Sequence, residues 1–237
     1  MTKTHYLYSD NIGKVELVQS MGEDITVVNS ARVSFGVQKD DLDEKDKKLI
    51  NYLIKHRHTS TLEHNVATFR IKVPLFVRSQ HHRHRTWSYN EISRRYTDAD
   101  LQFYIPASYR TQHDSNRQAS NFNDFVNPQM DVYNIELESR LCNEAVSHHI
   151  DNSLLLFEDM IKKGVAREQA RMVLPQNLYT EYYATANLNN ILKFIELRTH
   201  DGAQWEIQQL ANSIGKIVEG IWPITMNAYK KTKGIKL

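Results

Sequence analysis

The sequence predicts an α+β fold that is mostly helical around a small and largely antiparallel sheet. Apolar residues recur at helical spacing in several long segments, whereas the period-two alternation typical of strands occurs in only a few short ones. Strands and helices do not follow the rhythm of βαβ units, which argues against a parallel sheet. The 237 residues suit one large domain and are few for two, so we predict a single domain over residues 1-237.

Six elements are predicted before residue 107, in the order strand 15–18, helix 24–35, helix 44–56, strand 67–73, helix 74–85 and strand 101–105. The first two strands alternate apolar and polar residues, and helix 44–56 carries one apolar stripe. Asp24 is placed to cap the first helix. Pro74 fits the first position of the third helix, where its missing N–H is no loss.

The elements predicted in the rest of the chain are helices, and they follow a polar surface loop over residues 107-125 that lacks periodicity. Asn127-Pro128 opens a helical region that reaches Lys163 and that Gly164 ends. Three further helices follow, at residues 166–174, 188–198 and 203–221.

Charge and composition exclude several classes of protein. The formal net charge is +2, so no whole-molecule field points to nucleic acid or to a membrane. The single cysteine, Cys142, excludes an internal disulfide and favours a reducing compartment. The first residues lack the apolar core of a signal peptide, and no stretch approaches the roughly 18 apolar residues of a membrane span. We therefore expect a cytoplasmic protein.

The densest positive charge lies in segment 78-95, where five arginines accompany a single acid, Glu91. Such a concentration repels itself unless an anion sits among the arginines. The planar guanidinium suits phosphate oxygens in a bidentate manner. Gln80, Arg83 and His84 stand at i, i+3 and i+4, so a helix would place them on one face. The segment thus indicates a pocket for a phosphorylated small molecule.

Three other interpretations of the same segment stay open on the residues alone. A run of charge is commonly the solvated face of a helix. The basic residues interleave with Trp87, Tyr89 and Tyr96, which is typical of a nucleic-acid-binding module that stacks bases. His81 and His82 lie close to His84, which would suit zinc, although the sequence has neither an HExxH pattern nor paired cysteines.

A resemblance decides between these interpretations. Arg83-His84-Arg85, followed after seven residues by Ser93, resembles the signature of the flavin-dependent thymidylate synthases. The similarity extends through Gln80 and through residues 88–91 and 95–96. Further segments similar to that family are 31–35, 55–64, 167–175, 177–180, 197–198 and 203–207.

The resemblance implies a methyltransferase of nucleotide biosynthesis. It would convert dUMP to dTMP by reductive methylation, with 5,10-methylenetetrahydrofolate as the carbon donor. FAD, reduced by NADPH, would be the hydride carrier. The family builds its active sites from several subunits of a homotetramer, so the resemblance also implies partner copies of this chain. It implies no metal.

The resemblance also implies roles for individual residues. Those expected to hold dUMP are Gln80, Arg83, Glu91, Ser93, Arg94, Arg95, Arg171 and Arg198. Those expected to contact FAD are Ser34, His58, Ser60, Glu63, Arg83, His84, Arg85, Thr86, Glu91, Asn187, Asn189, Lys193 and Leu197. Arg198 and Ser93 are the catalytic candidates. Arg198 would face the uracil edge and favour its anionic form, while the Ser93 hydroxyl would orient the substrate.

A thiol nucleophile is not expected, because Cys142 falls inside a predicted helix with no basic residue beside it. The chain departs from the common family pattern at four positions. Ser79 and Asn189 stand where arginine is frequent, Gly202 where histidine occurs, and Thr86 where an aliphatic residue is usual.

Overall fold

The computed structural model describes residues 4–97, 100–133 and 137–237. Nine strands lie in this part of the chain: β1 (Thr4–Tyr6), β2 (Lys14–Met21), β3 (Val66–Pro74), β4 (Ser88–Glu91), β5 (Tyr109–Gln112), β6 (Ser120–Val126), β7 (Gln129–Tyr133), β8 (Leu137–Leu141) and β9 (Tyr179–Asn187). It also holds eight α-helices: α1 (Asp24–Arg32), α2 (Glu44–Lys55), α3 (Leu75–His81), α4 (Cys142–Lys162), α5 (Arg167–Ala170), α6 (Leu188–Arg198), α7 (Trp205–Ile221) and α8 (Pro223–Lys233). Short 3₁₀ helices lie at Val33–Phe35, Thr59–Leu62 and Arg171–Val173.

A five-stranded antiparallel sheet with the strand order β1-β2-β3-β9-β4 forms the centre of the molecule. Two separate hairpins, β5–β6 and β7–β8, stand outside it. This mixture of helices and antiparallel strands confirms the predicted fold class. Strand β9 is flanked by β3 and β4 and leads directly into α6, while β3 leads into α3, so the sheet positions the helices that carry part of the site described below.

The core lies where the sheet meets the helices. Phe69 and Ile71 of β3 are buried, and they belong to the same buried cluster as Ile195 of α6 and Leu210 of α7. Between them along the strand stands Arg70, which is exposed, as the period of two requires. Burying one such aliphatic or aromatic side chain contributes about 1.5–3 kcal/mol.

The last helix is joined to the first by polar contacts. The carboxylate of Asp24 accepts the backbone N–H groups of Ile224 and Thr225, each at 2.9 Å, and the Thr225 hydroxyl. Trp222 donates its indole N–H to the carbonyl oxygen of Gly22 at 2.9 Å. The prediction that Asp24 caps α1 was therefore wrong, because its carboxylate caps the N-terminus of α8 instead, and Glu23 is the N-cap of α1.

Several predicted elements are confirmed. Helix α2 matches the predicted 44–56, helix α6 matches 188–198, and α7 matches most of 203–221. Strands β2 and β3 match the two alternating segments. Gly164 follows the end of α4 at a φ of +88°, a left-handed conformation that glycine adopts without cost. Among the described residues, no helix combines the length and the apolar character that crossing a bilayer requires.

Other predicted boundaries were wrong. Helix α3 ends at His81 rather than 85, because the chain turns there to enter β4 and pair with β9. The segment 107-125 is not a loop, since it contains β5 and most of β6. The region 127–163 is helical only from residue 142, since hairpin β7–β8 precedes α4. Segment 101–105 makes only an isolated bridge, between Phe103 and Leu178, and segment 166–174 is split into α5 and a 3₁₀ turn.

Candidate active site

The ends of α3 and α6 bring together four predicted site residues, Gln80, Arg83, His84 and Arg198, which we call the α3–α6 cluster. Arg198 is the last residue of α6, and its Nε donates to His84 Nε2 at 3.1 Å. Its Nη2 donates to the backbone carbonyl oxygen of Gln80 at 3.3 Å. Burial, and then the charge of Arg83, lower the pKa of Arg198. The two arginines are thus close enough to repel each other.

The partners of Arg198 carry no charge. Burial, followed by the positive charge of Arg198, lowers the pKa of His84 to about 4, so its ring is neutral at physiological pH. Its Nε2 then accepts from Arg198, which leaves the ring proton on Nδ1. Both acceptors that Arg198 finds among the described residues are therefore neutral. A half-buried guanidinium in such surroundings favours an anionic ligand.

A buried histidine supports the turn that follows α3. His81 is 0% exposed, and its Nδ1 lies 2.9 Å from the Tyr182 hydroxyl. Tyr89 donates its hydroxyl to the carbonyl oxygens of His81 and His84, at 2.9 and 3.0 Å. The Trp87 ring packs edge-on against His81, with 4.7 Å between centroids. These contacts fix the backbone that presents Arg83 and His84.

The same contacts bear on the interpretations that the sequence left open. Trp87 is only 5% exposed, so it belongs to the core and does not offer a face on which a nucleobase stacks. Among the described residues, no three His, Cys, Asp or Glu side chains gather in a way that would hold a metal ion. The aromatic residues of segment 78-95 therefore serve mainly to support its backbone.

A second group of predicted residues lines a cleft of about 600 Å³, which we call the arginine cleft. It contains Glu91, Ser93, Arg94 and Arg171, all expected to hold dUMP. The other residues of its wall are Leu75, Arg78, Ile92, Glu168, Met172, Leu174, Gln176, Leu178, Tyr179 and Thr180. Three arginines against two acids leave the cleft positive, which suits a phosphate group.

Hydrogen bonds order the polar wall of the arginine cleft. Thr180 of β9 donates its hydroxyl to Glu91 Oε1 at 2.6 Å, and Arg78 Nε lies 3.3 Å from the same oxygen. Arg94 Nη2 donates to the Tyr179 carbonyl oxygen at 3.5 Å. Sequence reasoning did not assign Arg78 to the site, because the family signature places its frequent arginine one position later, at Ser79. Its membership of the five arginines in segment 78-95 was the available signal.

Three predicted flavin residues lie one turn apart on α6, at Asn189, Lys193 and Leu197. Asn189 and Lys193, together with His58, line a cavity of about 330 Å³. Lys193 and Leu197, together with Arg198, line a neighbouring cavity of about 610 Å³. Because Lys193 borders both cavities, the two cavities adjoin along α6. We call the pair the α6 groove.

The chemistry of the α6 groove fits a flavin dinucleotide. Arg57, His58, Lys193 and Lys233 line the first cavity and supply positive charge and hydrogen-bond donors. Its wall contains a single acid, Glu196. Such groups suit a pyrophosphate. Leu53, Ile54 and Leu62 supply apolar surface in the same cavity, which suits a ring system.

The remaining predicted residues are spread around these two sites. Those exposed to solvent are Ser34, Ser60, Glu63, Arg85, Thr86 and Arg95. Arg95 lies over the ring of Tyr96, 5.2 Å from its centroid. Asn187 caps α6 by accepting the N–H of Asn190 at 3.0 Å. Asn189, which stands where arginine is frequent in the family, donates to Glu63 Oε1 at 3.1 Å.

Within one protomer, the predicted dUMP residues therefore form two groups rather than one. Arg83 and Arg198 belong to the α3–α6 cluster, whereas Arg171 and Ser93 belong to the arginine cleft. The Gln80 side chain donates to Gln204 Oε1. The expectation that these residues surround one nucleotide, with partner copies included, stays a prediction.

Cys142 lies at the first position of α4, not inside a long helix as predicted. It is half-buried beside Tyr109, whose pKa rises to about 12 through burial and then through the charge of Cys142. Tyr109 lies on hairpin β5–β6, and neither residue belongs to the walls described for the arginine cleft and the α6 groove.

Comparison with known proteins gives consistent matches over most of the chain. A family model described as thymidylate synthase complementing protein matches residues 16–224. The flavin-dependent thymidylate synthase of Thermotoga neapolitana is 40% identical over 219 residues, covering 92% of this chain and 91% of the relative. That of Thermus thermophilus is 42% identical over 219 residues, covering 92% and 76%.

A solved structure matches as well. The crystal structure of the UMP/dUMP methylase PolB from Streptomyces cacaoi, bound with 5-Br dUMP, superimposes with a TM-score of 0.78. It is 29% identical in sequence and covers 96% of this chain and 97% of its own.

Proposed function

This chain belongs to the thymidylate synthase complementing protein family, the flavin-dependent thymidylate synthases, and we propose that it converts dUMP to dTMP by reductive methylation. The carbon donor is 5,10-methylenetetrahydrofolate, and the cofactors are FAD and NADPH. The observation that carries the proposal is Arg198, a half-buried guanidinium bonded to neutral acceptors beside the signature triplet that starts at Arg83. A uracil ring that gains negative charge is the ligand that such a group stabilises best.

The arginine cleft supplies the other half of nucleotide recognition. Arg94 and Arg171 are positioned to hold the phosphate through charge-assisted hydrogen bonds, and Ser93 offers a hydroxyl beside them. Glu91 is held by Thr180, which leaves its second carboxylate oxygen as an acceptor for a sugar hydroxyl. In this role Ser93 orients the substrate rather than attacking it.

Arg198 acts on the base. Carbon C5 of uracil is a poor nucleophile, and its reactivity rises when the ring carries negative charge. Arg198 is fixed at two points, by His84 Nε2 and by the Gln80 carbonyl oxygen, so it is oriented before the nucleotide binds. Such preorganised charge is stabilising because it costs no rearrangement during the reaction. No thiol is needed for this activation, and Cys142 lies away from both groups.

The α6 groove is the proposed place for FAD. His58, Asn189 and Lys193 would hold the cofactor on one side, and Leu197 would contact it near Arg198. When bound, FAD reduced by NADPH provides the hydride that completes the methyl group. Because Arg198 borders the groove and also belongs to the α3–α6 cluster, it links the cofactor position to the base.

We also propose that each active site is shared between subunits of a homotetramer. Arg171 lines the arginine cleft, whereas Arg198 lines the α6 groove, and one nucleotide would meet both arginines where protomers adjoin. This arrangement supplies Arg171 from one copy and Arg198 from another. We place the enzyme in the cytoplasm, where dUMP and reduced folate are available, as the single cysteine suggests.

An absorbance spectrum of the purified protein tests the proposal. We expect a yellow protein whose flavin bands bleach on addition of NADPH, and whose dTMP output depends on both dUMP and methylenetetrahydrofolate. A colourless protein that binds RNA or DNA with a steep salt dependence would instead support a nucleic-acid-binding module built on segment 78-95.

A further inference from the structure

The segment Ala203-Gln204-Trp205-Glu206-Ile207 is similar to the family's C-terminal half, yet the proposed mechanism gives it no role. Glu206 lies in the first turn of α7 and is only 3% exposed. A carboxylate is rarely buried this deeply unless several donors surround it. The contacts of Glu206 therefore indicate what this buried charge does.

Glu206 accepts hydrogen bonds at both carboxylate oxygens. Arg110 Nη2 donates to Oε1 at 2.6 Å, and the Tyr104 hydroxyl donates to the same oxygen at 3.2 Å. The side chain of Gln204 donates from Nε2 to Oε2 at 2.9 Å. Gln204 Oε1 in turn accepts from the Nε2 of Gln80. A continuous chain of side chains thus runs from a buried carboxylate to a residue of the α3–α6 cluster.

This chain has a defined polarity. An ionised carboxylate can only accept, so Gln204 must turn its NH₂ group towards Glu206. The side-chain oxygen of Gln204 then faces Gln80, which must donate from its own NH₂ group. The amide oxygen of Gln80 is left pointing away from Gln204. Amide orientations are set by such networks, and here the network is anchored by a charge.

We propose that Glu206 is a positioning residue, which through Gln204 fixes the amide of Gln80 so that its oxygen faces a hydrogen-bond donor of the bound nucleotide. Gln80 is also held at its backbone, because its carbonyl oxygen accepts from Arg198. The proposal rests on the proposed function, since Gln80 must bind dUMP for its amide orientation to matter. It adds Gln204 and Glu206 to the residues that determine affinity, although neither touches the substrate.

Replacing Glu206 by glutamine tests the polarity. In E206Q the oxygen of residue 206 still accepts from Arg110 and Tyr104, so its NH₂ group faces Gln204. Gln204 and then Gln80 must reverse, and Gln80 presents NH₂ where the nucleotide also has a donor. We expect the dissociation constant of dUMP for the flavin-loaded protein to rise by about 10- to 100-fold, measured by titration calorimetry.

A second substitution distinguishes polarity from mere support of α7. In Q80E/E206Q the new carboxylate at position 80 accepts from the reversed Gln204 and again offers oxygen to the nucleotide. We expect this double variant to bind dUMP more tightly than either single variant. Q204L removes the link between Glu206 and Gln80, while Arg110 and Tyr104 still bond to Glu206. Its affinity for dUMP should therefore fall as that of E206Q does, and Q204L provides this test even if E206Q does not fold. E219Q, the same change on the same helix at a surface ion pair with Lys230, is the matched control.

The outcomes separate the claims. If the wild-type protein does not bind dUMP, the proposed function fails. If the wild type binds and Q204L and E206Q bind within about twofold of it, while their melting temperatures fall, Glu206 only supports the fold and the positioning role is overturned. Additive losses in Q80E/E206Q would overturn it as well.

Discussion

The charge of Arg198 is the feature on which the proposed mechanism depends, so its removal is the most informative perturbation. Within the described part of the chain, it bonds only to neutral groups, His84 Nε2 at 3.1 Å and the Gln80 carbonyl oxygen at 3.3 Å. Arg198→Ala leaves both acceptors near water and removes the positive charge from the uracil edge. Loss of one preorganised donor to a developing negative charge costs about 3–4 kcal/mol. We therefore expect kcat to fall by about 10²- to 10³-fold.

The assay measures dTMP formation together with flavin content. Since Asn189 and Lys193 remain in the α6 groove, the Arg198→Ala protein should keep most of its flavin absorbance. Arg198→Lys, which restores the charge without the planar fork, should show intermediate turnover. Arg140→Ala removes an arginine that pairs with its neighbour Glu138 on β8, and it should behave as the wild type. A kcat within threefold of wild type for Arg198→Ala would refute the role given to this charge.

Three further outcomes follow from the structure. Asp24→Ala should lower the free energy of unfolding by about 2–4 kcal/mol in urea titrations, because the buried N-terminus of α8 loses its hydrogen-bond acceptor. An unchanged free energy of unfolding would contradict this cap. The free energy of unfolding should fall as pH drops from about 6.5 to 4, because unfolded His84 takes up a proton there that the folded ring does not. His84→Asn should show a shallower fall, since burial also lowers the pKa of His81, and an equally steep fall would contradict the share given to His84. Arg78→Ala should weaken dUMP binding by about 10- to 100-fold in calorimetry, since one charge-assisted bond contributes roughly 1.5–3 kcal/mol. Equal affinity would remove Arg78 from the site.

The sequence predicted those elements whose periodicity is strong. The apolar stripe of α2 and the alternation of β3 each occur without interruption, so local pattern and tertiary role agree. Strand β9 was missed although it is central, because its buried face contains Ala184 and Ala186, which have low strand propensity. Hairpin β7–β8 was merged with α4, because the Leu, Glu and Arg of β8 are good helix formers.

The ligand roles given to the site residues stay predictions, and the structure shows only which of these residues lie together. Gln80, Arg83 and His84 do come together, and Arg198 joins them from a distant helix, as the resemblance implied. The division between the α3–α6 cluster and the arginine cleft could not be predicted, because it depends on how β4 pairs with β9. The roles of Gln204 and Glu206 were also hidden, since hydrogen-bond polarity exists only once side chains meet.

The contacts between the two ends of the chain bear on how the protein is made. Gly22 and Asp24 bond to Trp222 and Thr225, partners separated by 200 and 201 positions. During synthesis the acceptors near the beginning emerge long before their donors, so the buried side of α1 stays open until the last helix has left the ribosome. A fold closed by such distant contacts has a high contact order, which slows its formation. Shortened chains that lack α8 should therefore depend on chaperones and be degraded rather than accumulate as partly active enzyme.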